Sequence, residues 1–164
     1  MNRTAARYDA PFIARLYLPR VVAEGFAMQD RALAPIGLTT RQALILLSCD
    51  LGEAGTAAEM AALYGLEVSS ITRLVDRLEK KRLIERTRSR VDRRKSMLSL
   101  TPGGKAALKE AVKIATPKAV AMWKGVSEKE RRMLAAIVEK VLKNLNEMGP
   151  SNKSELLKAR EMSG

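Results

Sequence analysis

Val68-Ser69-Ser70-Ile71-Thr72-Arg73-Leu74-Val75-Asp76-Arg77-Leu78-Glu79-Lys80-Lys81-Arg82 contains no proline or glycine and reads as one amphipathic helix. Stepping about 100° per residue gathers Ile71, Leu74, Val75 and Leu78 into one apolar stripe. The opposite face is centred on Ser69, Arg73, Asp76 and Lys80, flanked by Ser70, Thr72 and Arg77. Short hydroxyls near a helix N-terminus suit phosphate contacts, and arginine further along can pair with guanine O6 and N7. That face is a candidate for reading the major groove of double-stranded DNA.

The residues on either side give this helix its context. Downstream, Leu83–Arg88 and Lys95–Leu100 read as strands, Leu98 and Leu100 being spaced by two. The segment Ser89–Arg94 joins them, and Arg88, Arg90, Arg93 and Arg94 surround its tip. Arginines on such a ribbon are placed to reach a minor groove. Asp92 stands alone among them, and its economical role is to brace the loop by pairing with Arg77 or Arg94. Upstream, Thr56 with Glu59 forms a capping box for a short helix that Gly65 closes. A short helix, a tight turn, a longer helix and a two-stranded ribbon make a winged helix-turn-helix plan.

Further helices flank this unit. Thr39 with Gln42 caps an apolar helix through Leu51. Before it, Phe12, Ile13, Leu16, Tyr17, Val21, Val22, Phe26 and Leu33 keep helical spacing, and Pro19 is expected to break or kink that helix near Leu18. Thr101-Pro102 starts a long helix expected to kink near Pro117, and Ser127 with Glu130 starts a final one through Glu147. Gly149-Pro150 ends it before a polar tail. The fold class is therefore mainly α with a small two-stranded β-wing. The expected organisation is an N-terminal helical region over 1–37, a winged lobe over 38–101, C-terminal helices over 102–148 and a tail over 149–164.

Composition narrows the chemistry. The 164 residues carry 30 Lys+Arg against 18 Asp+Glu, a formal charge of +12, with no histidine and one cysteine. Eleven basic and four acidic residues lie between Arg73 and Lys95, so +7 of the +12 sits in 23 residues. Such a concentration of like charge calls for a polyanionic partner. Absence of histidine removes Ser-His-Asp and Cys-His nucleophiles, and a lone cysteine gives neither an internal disulfide nor a structural zinc site. No catalytic residue, metal ligand set, phosphate loop or cofactor is expected, so the chain reads as a binding protein and not an enzyme. Met1–Ala10 lacks the apolar core of a secretory signal and no run is long enough for a membrane span, so no membrane association and a cytoplasmic location are expected.

The segments Leu38-Thr39-Thr40-Arg41-Gln42, Ser69 through Lys81, and Asp92-Arg93-Arg94 leading to Leu100-Thr101 resemble the multiple-antibiotic-resistance regulator (MarR) family of bacterial transcription factors. The resemblance implies a homodimer whose N- and C-terminal helices form the dimerisation layer and whose two lobes read a palindrome. It places Ser69, Ser70, Thr72 and Arg73 in the major groove and the wing arginines near the minor groove, with Asp92 and Arg94 bracing the wing. It also implies a repressor that a small aromatic or phenolic effector releases from a pocket between dimer layer and lobe.

Three departures stand out: Glu67 where Ser or Asp usually opens the reading helix, Arg82 where a glycine is common, and Pro19 in the first helix. Tyr8, Phe12, Tyr17 and Phe26 form an aromatic stripe suited to packing or to that pocket, and Trp123 is a further lining candidate. Cys49, beside an apolar run, reads as a small core residue and not as a redox sensor. The competing function is a basic nucleoid- or RNA-associated protein that uses the same fold without sequence readout.

Overall fold

The computed structural model describes residues 10–88 and 96–148. Helix α1 spans Ala10–Leu33, followed by a 3-10 turn, Ala34–Ile36, and by α2 (Thr40–Leu51), α3 (Ala57–Tyr64) and α4 (Val68–Lys80). Strands β1 (Ile84–Arg88) and β2 (Ser96–Leu100) precede α5 (Pro102–Met122) and α6 (Glu128–Glu147). Two compact units result, Met1–Met122 and Trp123–Gly164, the second containing α6.

Local chemistry sets most boundaries. Thr39, Thr56 and Ser127 form reciprocal capping boxes with Gln42, Glu59 and Glu130, at the positions their spacing predicts. Hydrogen bonds from Ser127 hold the exposed Glu130 carboxyl below its ordinary pKa. Helices α2 and α3 each end on a glycine in the left-handed region, Gly52 and Gly65. Helix α4 stops two residues earlier than the sequence suggests, because Arg82 takes φ +57° and cannot continue it. Thr101 caps α5 through Gly104 N (3.0 Å) while its hydroxyl donates to the Arg82 carbonyl (2.6 Å).

Pro19 does not break its helix, and α1 and α5 each run as one element through the proline. A single missing N–H and one crowded carbonyl are absorbed by the intact turns on either side.

The core of the first unit gathers Leu33, Leu38, Ile45, Leu46, Met60, Ile71, Val75, Leu78, Ile84, Leu98, Leu108 and Ala111. It is therefore shared by the end of α1, by α2, α3 and α4, by the hairpin base and by α5. Fully burying each large aliphatic side chain stabilises by about 1.5–3 kcal/mol. Polar ties reinforce it: Asp30 Oδ1 accepts from Thr40 N and from Thr40 Oγ1, both at 2.6 Å, joining α1 to the start of α2. Tyr64 donates to the Leu44 carbonyl (3.1 Å) and pairs with Ser48 Oγ (2.6 Å), joining α3 to α2. The Lys81 ammonium donates to the Gly37 carbonyl and anchors the end of α4 beside the α1–α2 connection.

The hairpin is antiparallel, with Ile84 opposite Leu100 and Arg88 opposite Ser96. Ile84, Leu98 and the partly buried Leu100 share its inner face. The Leu98 amide also donates to the Gly55 carbonyl (2.8 Å), so the α2–α3 connection lies along the free edge of β2. Among the described residues no single helix is long and apolar enough to cross a membrane.

Candidate nucleic-acid interface and the adjoining cavity

Burial of Ile71, Val75 and Leu78, each 1% exposed or less, orients α4 and turns its other side outward. Ser69, Ser70, Arg73, Arg77 and Lys80 are all exposed. Thr72 is half-buried, and its hydroxyl donates back to the Val68 carbonyl (2.8 Å). Glu67 occupies the N-cap without a side-chain bond, unlike the other capped helices, so the first-turn amides of α4 receive no side-chain cap. Arg77 and Lys80 also line a shallow groove with Asp30, Gly37, Gln42 and Lys81 beside the α1–α2 connection.

Asp76 lies on this outward face but not as an open acid. Arg86 of β1 reaches back to it through Nη2 and stands 3.6 Å from Glu79 through Nε. The signal for this contact was the strand alternation, which puts Arg86 on the same face as Ile84, toward α4. Of the wing arginines, Arg88 closes β1, while Arg90, Arg93, Arg94 and the bracing candidate Asp92 lie outside the described residues.

Behind α4 lies a cavity of about 190 Å³ lined by Val22, Phe26, Arg41, Leu44, Ile45, Tyr64, Leu66, Ile71 and Leu74. Leu74 packs against the core and also lines this space, and it is only half-buried where the apolar stripe implied full burial. The volume is that of about one aryl ring, since an engineered apolar cavity of about 150 Å³ takes benzene. Its one charged group is Arg41, whose guanidinium stands 5.9 Å from the centroid of the Phe26 ring. Among the described residues no carboxylate lies within salt-bridge distance of Arg41.

Of the four aromatic candidates, the structure brings Phe26 to this cavity and leaves Tyr17 41% exposed outside its lining. Phe12 falls in α1, and Tyr8 lies outside the described residues. Trp123 belongs to the second unit. Sequence reasoning missed Arg41 and Tyr64. A cation in the first turn of a helix opposes the macrodipole, which was the available clue to Arg41.

Cys49 is half-buried on α2, and burial pushes its thiol up to about 11. That is the reverse of the low-pKa environment a redox-sensing cysteine needs.

A capped short helix, an exposed basic helix and a two-stranded antiparallel ribbon define a winged helix-turn-helix protein. Residues 36–95 match the model of the MarR family. The transcriptional repressor MprA of Escherichia coli K12 is 32% identical over 113 residues, which is 69% of this chain and 64% of that protein. The chain thus spans a little under two thirds of the curated relative's length.

CouR from Rhodococcus jostii RHA1 bound to p-coumaroyl-CoA superposes with a TM-score of 0.70 at 26% identity, covering 76% of this chain and 87% of that one. A single-site mutant of MarR from E. coli complexed with operator DNA gives 0.66 at 25% identity, covering 82% and 99%. In sequence over residues 36–95 and in fold, the chain is similar to the MarR family.

Proposed function

We propose that this chain is a dimeric, sequence-specific DNA-binding regulator, a repressor of a palindromic operator, and not an enzyme. The observation that carries the reading is the outward face of α4, where Ser69, Ser70, Arg73, Arg77 and Lys80 stand exposed together beside the basic hairpin. In this reading Ser69, Ser70, Thr72 and Arg73 enter the major groove. Arg77 and Lys80 contact the flanking backbone, Arg88, Arg90, Arg93 and Arg94 approach the minor groove, and Asp92 braces the wing. Operator-bound MarR and CouR bound to p-coumaroyl-CoA support DNA and a small effector as partners for the same fold.

The effector suited to the cavity is an aromatic body carrying one anionic group, with the ring against Phe26 and the anion at Arg41. Because Ile71 and Leu74 of α4 line that cavity, an occupant touches the reading helix from behind. Dimerisation would use the exposed apolar residues of α1 and α6, among them Val21, Val22, Ile137 and Leu145.

Selection of bound fragments from random DNA tests the reading. Enrichment of one inverted repeat by about 10³ or more over random DNA is the expected result. Salt-sensitive binding with no enrichment would instead favour the nucleoid- or RNA-associated alternative.

A further inference from the structure

Asp76 poses a problem for a DNA-facing helix, since a carboxylate there repels phosphate. Three charges from two elements converge at this point: Asp76 and Glu79, one turn apart on α4, and Arg86 on β1. Arg86 is paired across the ladder with Leu98, and Leu98 is the residue whose amide donates to the Gly55 carbonyl. The hairpin is thus held at a single rung from both sides, β2 by the α2–α3 connection and β1 by α4. Below that rung the buried Ile84 fixes the hairpin base. Among the described side chains no hydrogen bond or ion pair joins β1 to α4 beyond it.

We propose that Asp76 and Glu79 clasp Arg86 to set the direction of the wing against the reading helix, making all three positioning residues and not DNA contacts. This rests on the DNA-binding reading above. The clasp does two things at once. It offsets the Asp76 charge on the face proposed to meet DNA, and it fixes the direction of β1 against α4. Each pair is partly exposed, the Arg86 side chain at 33%, so the clasp adds little to global stability. Its effect belongs to wing geometry.

The test uses Asp76→Asn and Arg86→Gln in the full chain, with a DNA site selected by the wild-type protein. Removing an acid from a DNA-binding face should tighten binding if charge alone matters. The clasp predicts the opposite sign: Asp76→Asn loses about five-fold in affinity, and Arg86→Gln loses as much. The salt slope of Arg86→Gln stays at the wild-type value, because Arg86 touches no phosphate. In the free protein, amides of β1 exchange faster in both variants while those of α4 do not, and the unfolding temperature moves by less than about 2 °C.

Equal or tighter binding by Asp76→Asn overturns the proposal, as does a salt slope flattened by about one in Arg86→Gln. Unchanged exchange across Ile84–Arg88 overturns it independently of DNA. Failure of the wild-type protein to enrich any sequence would sink the DNA-binding reading instead, and the exchange measurement would still decide the clasp.

Discussion

Arg73 and Arg82 are both exposed arginines on or next to α4, yet their backbones put them to different uses. Arg73 sits mid-helix with no ion-pair partner among the described residues, so its guanidinium is available to a base edge. Arg73→Ala should cost about 1–3 kcal/mol at the selected site and relax preference at one base pair, read by competition binding on single-base variants. An equal loss on random DNA would reduce Arg73 to a phosphate contact. Arg82 holds φ +57°, a conformation disfavoured for side chains by roughly 1–2 kcal/mol. Glycine relieves that strain but gives the unfolded chain more freedom, a loss of about 0.4–1 kcal/mol. Arg82→Gly should therefore raise stability by up to about 1 kcal/mol, seen as a higher denaturant midpoint at unchanged slope. A lower midpoint would mean that the arginine side chain contributes more than its strain removes. Cys49 gives a pH effect of known sign. Its folded pKa, about 11, lies above the ordinary 9.0, so its contribution is complete below pH 9 and lost as pH rises toward 11. Cys49→Ala should flatten the fall in stability over that window. Peroxide treatment at neutral pH should leave DNA binding of the wild-type protein unchanged.

At the scale of elements, what was legible in the sequence is what depends on neighbours along the chain. Capping boxes act over three residues, so Thr39, Thr56 and Ser127 marked α2, α3 and α6 to within a residue. Periodicity within α4 separated Ile71, Val75 and Leu78 from the exposed face. Contacts between distant residues were not legible in the same way. The Arg86–Asp76 pair spans ten residues, Tyr64 finds Leu44 twenty residues away, and Lys81 finds Gly37 forty-four away. Leu74 belongs to this second kind, since only the packing of α1 and α2 decides that it faces a cavity. That position supports a prediction about the element as a whole. Leu74→Phe extends a ring into the space of about 190 Å³ behind α4, and cavity filling commonly adds about 0.5–2 kcal/mol. Benzoate, used as a probe aromatic carboxylate, should raise the unfolding temperature of the wild-type protein and leave that of Leu74→Phe unmoved. DNA affinity should persist in the variant, because the outward face of α4 is untouched. A benzoate shift of equal size in both proteins would place the anion site elsewhere.

For the whole molecule, charge and apolar surface lie in separate stretches of sequence. The +7 between Arg73 and Lys95 falls in α4 and the sequence that follows it, whereas the exposed apolar residues concentrate in α1 and α6. In α6, Met133, Ile137, Val141 and Leu145 recur every four residues and are each about half exposed. Ion pairs Arg132–Glu128 and Lys143–Glu147 ornament the rest of its surface. Under the function proposed above, a stripe of that kind is the candidate interface, and a second copy of the chain is the partner that reading a palindrome would require. Ile137→Asp decides the matter because the two alternatives differ in size and sign. On a solvated face the change should move stability by no more than about 0.5 kcal/mol and leave mass unaltered. Across a dimer interface it buries an unpaired carboxylate, which costs several kcal/mol. Sedimentation equilibrium should then report a dimer for the wild-type chain and a monomer for Ile137→Asp at the same concentration. The unfolding temperature of the wild-type protein should rise with concentration, and that of the variant should not. DNA binding follows from the same change. A monomer retains one reading helix and one wing, so it should bind a half-site as the wild-type lobe does and lose the gain from occupying both halves. That gain is about 10²–10⁴ in apparent affinity where the two half-sites can be engaged together. A dimeric Ile137→Asp with full operator affinity would remove α6 from the interface.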